Sequence, residues 1–222
     1  MKIRCIAVTI VLIIMAASIG RAVTHDVSVK LGINQTTLTD TYKCDGLSGL
    51  TAGVYVEDYL SSYHAIHFEV SYTNRKSKSL ESIRVKDSYQ DDYSSGYNVY
   101  GASMRTETNY IDFAALLKLF PPEENRLGPY VYIGPVISVL VSGQGTIEYI
   151  YGKSNFDVDY QKGVISYAFG GGVDFDIKGL RSSFDIRGIR ALAEFTESAG
   201  DPGFKNNLFL VTLGICLSSQ LR

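Results

Sequence analysis

His67, Glu69 and Ser71 stand at alternate positions of "HAIHFEVSYTN", a base, a carboxylate and a hydroxyl of the kinds that hydrolases combine. If this stretch is extended, the three side chains share one face. Positions two apart on a strand are then ~6.6–6.8 Å apart along the backbone. Catalysis needs a nucleophile and base within ~2.6–3.2 Å, so the spacing reads as polar filling of a face and no catalytic residue is assigned. The other histidines, His25 and His64, lie elsewhere in the pattern and form no metal-ligand cluster with it. Asp91-Asp92, within "KDSYQDDYSSGYNVYG", have the chemistry to touch a cation, but a polar surface loop requires no such role, and its tyrosines suit a partner-docking surface. Neither a metal nor a cofactor is expected.

The elements that carry these residues follow a period of two. "VSVKLGIN" separates Val27, Val29, Leu31 and Ile33 from Ser28, Lys30, Gly32 and Asn34. The same alternation places Ile66, Phe68, Val70 and Tyr72 opposite His67, Glu69, Ser71 and Thr73. It recurs in "SYAFGGGVDFD" and in "NLFLVTLGICL". "YIDFAALLKLF" also suits a helix face through Phe113, Leu116, Leu117 and Phe120, but the strand phase Ile111, Phe113, Ala115, Leu117 and Leu119 is preferred. With segments 50–59, 129–141 and 181–192 the chain offers eight strands near the ~9–11 residues a tilted membrane strand needs. "GPYVYIGPVISVLVSG" is too short and too broken for a bilayer helix. As a strand it turns Val131, Ile133, Ile137, Val139 and Val141 to lipid and Tyr130, Tyr132, Gly134, Ser138 and Leu140 inward. Pro135 predicts a bulge or a broken ladder bond there.

Connections alternate in length: long at 36–49, 76–107, 142–162 and 195–204, short near 60–63, 121–128 and 177–180. Antiparallel neighbours exchange ends at each connection, so the long ones gather at one end, the asymmetry of outer-membrane barrels. The N-terminus supports export: Lys2 and Arg4 precede an apolar run from Cys5 to Ile19 and a small-residue exit, the layout of a signal peptide over residues 1–22. The chain of 222 residues has 21 basic and 23 acidic side chains; removal of Lys2, Arg4 and Arg21 leaves 18 basic and a net charge of −5, which excludes nucleic acid as partner. There are 16 tyrosines and no tryptophan, so an interfacial aromatic girdle would consist of Tyr and Phe.

The expected fold is therefore all-β: an eight-stranded antiparallel up-and-down transmembrane barrel over residues 23–222, located in the outer membrane with its lipid as a partner. The strand "VSVKLGIN", "YIDFAALLKLF" followed by "GPYVYIGP", and "FGGGVDFDI", "SFDIRGIRAL" and "NNLFLVTLGICL" resemble the PorT-like outer-membrane β-barrel domains of Bacteroidetes across essentially the whole mature chain. That resemblance implies a role in the cell envelope, for some members in protein secretion.

Eight strands leave an interior that side chains fill. On these phases it carries Lys30, Glu57, Glu69, Asp112, Lys118, Asp174, Asp185 and Arg187, which must pair, because an isolated buried charge costs several kcal/mol. An ion-pair network holding the barrel's shape is the expectation, ahead of a proton or ligand relay. Cys44, in the first long loop, and Cys216, toward the turn end of the last strand, are too far apart to bond. Asn34-Gln35-Thr36 matches a glycosylation sequon by chance. The leading expectation of function is non-catalytic scaffolding or docking, with envelope or secretion proteins engaged through 36–49, 76–107 and 142–162. A lipid A-modifying hydrolase on the same scaffold and a soluble lipocalin-like binder stand as alternatives.

Overall fold

A computed structural model describes residues 25–39, 44–79, 84–85, 97–98, 103–121, 127–149, 152–157, 163–194 and 205–218. The segment 1–22, Asp91-Asp92 and the loop 195–204 lie outside the described residues.

The alternating segments form β1 (His25–Thr39), β2 (Cys44–Tyr59), β3 (His64–Ser79), β6 (Ser103–Leu119), β7 (Gly128–Tyr149), β9 (Gly163–Ile177), β10 (Leu180–Glu194) and β11 (Lys205–Ser218). Three short strands accompany them: β4 (Arg84–Val85), β5 (Tyr97–Asn98) and β8 (Gly152–Asp157). The long strands pair antiparallel in the order β6-β3-β2-β1-β11-β10-β9-β7, and β6 pairs with β7 to close an eight-stranded barrel. Among the described residues β4 and β5 pair only with each other. Closure leaves no edge within the apolar band, the condition for a sheet to stand in lipid.

Side-chain direction follows the sequence phases. Leu31 is 68% exposed and Val131 and Leu213 are both 58% exposed, whereas Ser28, Lys30, Tyr130, Tyr132 and Thr212 are buried. Phe68 lies on the outer face by its register with Val56 and Ala115, yet is 7% exposed. An apolar exterior around a polar interior is the reverse of a lipocalin, and it overturns the soluble alternative.

Pro135 interrupts the ladder without bulging it. The β6–β7 pairing lapses between Ala114↔Val136 and Leu117↔Ile133 and resumes in the same register, as expected where a residue has no N–H to donate. The bulge falls at Val141 instead, where pairing shifts from Tyr110↔Leu140 to Asn109↔Ser142. A second irregularity lies between Leu47 and Thr51 of β2. There the Asn34 amide donates to Leu50 O at 3.1 Å and to Asn74 O at 3.0 Å. This sequon asparagine is a buried bridge inside the barrel.

The expected long loops require correction. Most of 36–49 belongs to β1 and β2, β3 runs to Ser79, β6 begins at Ser103, and β7 continues to Tyr149 before β8 folds back on it. Cys44 accordingly opens β2 and is not a loop residue, while Cys216 is buried in β11. Beyond the bilayer both faces of a strand can be wet, so polar residues keep the ladder without any apolar alternation to mark it. The opposite end turns tightly: Lys178 and Gly179 have φ of 54° and 84°, a two-residue hairpin with both central residues left-handed, and Asp176 Oδ1 accepts from Gly179 N at 2.6 Å.

Val131→Arg places a guanidinium on the lipid face; it should destabilise the barrel by roughly 2–4 kcal/mol in urea titrations from vesicles, while Gln35→Arg, beyond the band, should change little.

Candidate functional site

Among the described residues, the barrel interior gathers charged side chains from six strands, β1, β2, β3, β6, β9 and β10. Glu69 is the hub of one cluster: its carboxylate pairs with Lys30, accepts from Arg187 Nη1 at 2.8 Å and Ser71 Oγ at 2.9 Å, and meets His67 Nε2 at 3.2 Å. Arg187 is 2% exposed; its Nε donates to Tyr132 OH at 3.1 Å, and its Nη2 lies 3.7 Å from Asp185. The second cluster centres on Lys118, which donates to Glu57 at 2.7 Å and to Asp174 at 2.9 Å. Arg181 extends it, donating to Asp174 at 2.8 Å and Asp26 at 2.6 Å. His67 joins the two clusters, with Nδ1 3.1 Å from Glu57 and Nε2 facing Glu69. A third unit, nearer the extended end, pairs Arg75 with Asp112 at 2.7 Å, and Thr73 donates to the same carboxylate.

The structure thus buries all eight residues of the expected network and divides them: Lys30, Glu69, Asp185 and Arg187 in one cluster, Glu57, Lys118 and Asp174 in another, and Asp112 apart with Arg75. Sequence reading left out Asp26, Arg75 and Arg181. All three lie on the inward phase, but at or beyond the ends of the apolar segments, where alternation gives no reason to include them.

Tyrosine is the other missed component. Tyr55, Tyr59, Tyr110, Tyr130 and Tyr132 are buried inside the barrel, whereas Tyr63 and Tyr72 are exposed. The girdle therefore receives only part of the expected tyrosine. Inside, these rings lie under cations: Lys118 is 3.7 Å from the Tyr130 centroid, Arg75 4.2 Å from Tyr110, and Arg187 5.0 Å from Tyr132. The aromatic ring fills volume and the phenol supplies a donor, so tyrosine suits a narrow polar lumen on both counts.

The glycines of "FGGG" make this possible. Tyr130 and Tyr132 of β7 stand in register with Gly172 and Gly170 of β9 and lie across them toward β10. A Cβ on Gly172 would come within 2.7 Å of Tyr130 Cζ, and one on Gly170 within 2.8 Å of the Tyr132 hydroxyl. With no side chain between, Tyr132 OH reaches Asp185, closing the ring from β7 over β9 to β10. The paired motifs "GPYVYIGP" and "FGGGVDFDI" are one packing unit.

His67, Glu69 and Ser71 do meet, but in the wrong order for hydrolysis. Ser71 donates to Glu69, whose charge is already taken by Lys30 and Arg187, and the histidine sits beyond the carboxylate. All three side chains are buried in the lumen, away from the lipid face. Two interior clefts, one beside Lys30 and His67, the other beside Asp26 and Cys216, have about 10 Å³ of free volume each, the size of a single water.

A closed antiparallel cylinder with an apolar outer band and an ion-paired core defines an outer-membrane β-barrel protein, since strands can cross a bilayer only in closed form. The fold is similar to the attachment invasion locus protein of Yersinia pestis (10% identity, 89% of this chain and 100% of that chain, TM-score 0.45). It is also similar to the outer membrane protein OprG from Pseudomonas aeruginosa (9%, 89% and 98%, 0.45) and to Neisserial surface protein A (10%, 86% and 96%, 0.42). No protein-family model matches the chain, and no curated protein matches it in sequence.

Removing one carboxylate from a buried cluster strands its cations. Glu69→Ala should cost roughly 3–5 kcal/mol in urea unfolding from vesicles. A double-mutant cycle of Glu69→Ala with Arg187→Met should be non-additive by about 0.5–3 kcal/mol, the second change relieving part of the first.

Proposed function

We propose that this chain is a non-catalytic scaffold or docking protein of the outer membrane, engaging envelope or secretion proteins through its extended end. The observation that carries this reading is the division of labour along the strands. Within the apolar band the lumen is blocked by ion pairs and tyrosines; beyond it the strands continue as a polar wall from β1 and β2 round to β7 and β8. A plugged cylinder transports nothing by diffusion, and a rigid paired rim presents a surface at lower ordering cost than a loop. The link to secretion rests on the likeness of the quoted motifs to PorT-like domains. Against the lipid A hydrolase stands the position of Ser71, behind the barrel wall and hydrogen-bonded to a carboxylate.

A photo-cross-linking residue placed at Ser48 of β2 or Ser154 of β8 in intact cells should capture one recurrent envelope protein, and the same probe at Leu213 on the lipid face should not. Capture of lipid alone at both rim positions, or lipid A hydrolysis by the purified barrel that Ser71→Ala abolishes, would overturn the reading.

A further inference from the structure

β9, β10, β11 and β1 form one continuous wall of the barrel. Among the described residues, the outward register positions of these four strands hold Arg190 and Lys205 and no carboxylate. Glu194, at the end of β10, is in register with the buried Val164 and so belongs to the inward phase. The outward carboxylates at this end stand on other strands, beside other partners. Asp45 of β2 is in register with Lys78, Glu107 of β6 lies 3.4 Å from Lys76, Glu148 of β7 accepts from Lys153, and Asp157 of β8 is in register with Gln144. Arg190 is exposed and has no ion-pair partner among the described residues.

Its neighbours set its depth. Arg190 is in register with Tyr167 on one side and Asn207 on the other. Two positions lower, Gly188 is in register with Phe169 and Phe209, 52% and 49% exposed. A Cβ on Gly188 would come within 2.9 Å of Phe169 Cζ, so that ring lies across the glycine beneath the arginine. Tyr167 stacks on Phe169 with centroids 6.1 Å apart, an aromatic pair of the kind that marks a membrane interface. Leu192, 61% exposed, still follows above Arg190. One pleat of ~6.6–6.8 Å is roughly 5 Å of depth at a strand tilt of ~35–45°. The guanidinium therefore stands at the top of the apolar surface, within a headgroup layer about 5–8 Å thick.

We propose that Arg190 holds the phosphate of an anionic membrane lipid whose acyl chains lie on Phe169, Phe209 and Ile186 below it. The inference rests on the barrel standing in a bilayer. A guanidinium at that depth, on a wall without carboxylates, takes its counter-charge from the medium, and its planar fork matches a phosphate bidentately. Headgroups of net negative charge are favoured over zwitterionic ones, whose own ammonium already answers the phosphate. The rings directly below supply the apolar half of the same ligand's surface, so one amphiphile satisfies both.

The full chain is folded into vesicles of phosphatidylcholine and phosphatidylglycerol, and retained lipid is counted by native mass spectrometry after extraction. Wild type should retain phosphatidylglycerol in preference to phosphatidylcholine. R190Q should lower that preference about fivefold, the effect of one cation near an anionic surface. R190K, which keeps the charge, should keep most of it, and K78Q, on β3, should leave it unchanged. Equal retention of the two lipids by wild type, an undiminished preference in R190Q, or displacement of the lipid by inorganic phosphate at matching concentration would overturn the proposal, the last by showing an ion site instead. Insertion of wild type and R190Q into pure phosphatidylcholine, read by protease protection, tests the barrel itself: wild type failing there would overturn the membrane reading separately.

Discussion

Lipid offers a backbone no hydrogen bonds, and that constraint organises the whole molecule. Each N–H and C=O in the apolar band must find a partner on a neighbouring strand, and the last strand must find the first, so the sheet closes. Closure at eight strands then fixes the bore, and a bore of that width must be filled by the chain's own inward side chains. The exterior is free to be uniformly greasy because the lumen absorbs everything else.

What fills the lumen is a compromise between volume and charge. Aliphatic side chains fill part of it, Leu116, Val136, Ile189, Leu208 and Leu210 packing with Tyr130 and Tyr132, and long cations, carboxylates and tyrosines in mutual contact fill much of the rest. Glu69 and Lys118 each gather several partners, and His67 spans the gap between their clusters. Tyr130 and Tyr132 obtain their space from glycines on the adjacent strand, which makes the register of β7 on β9 a steric requirement as well as a hydrogen-bonding one. A shift of one residue would set both rings on the outer face and bring Pro129, Val131 and Ile133 into the lumen.

Much of this was legible in the sequence, for a definite reason. Where one face of a strand meets lipid and the other a polar lumen, alternation is strong, and the phases of Leu31, Val131 and Leu213 against Lys30, Tyr130 and Thr212 follow from it. The reading failed where that contrast fades. Above the membrane edge Lys76, Lys78 and Arg105 alternate with residues as polar as themselves, so alternation marks neither the strands there nor Arg75 as an interior residue. Tyrosine misled in another way: its amphipathic ring suits an interface and a polar lumen equally, and only the glycines across from Tyr130 and Tyr132 decide between them. Pro135 was recognisable as a break, but the position of the bulge at Val141 has no local marker.

β7 is the one long strand that changes neighbour along its length, lying against β9 through residue 139 and against β8 from residue 144, with the bulge between. Below that crossing the wall is a continuous hoop; above it, the β7–β8 arm is an appendage hung from the hoop on one side. Changes in β8 leave the hoop's closure alone, because the β7–β9 pairs end at Val139↔Gly163, before the first β7–β8 pair, Gln144↔Asp157. In evolution such a crossing acts as a firebreak, letting the outward-facing flap vary in length and composition under selection from outside the cell while the bilayer-embedded cylinder beneath keeps its dimensions.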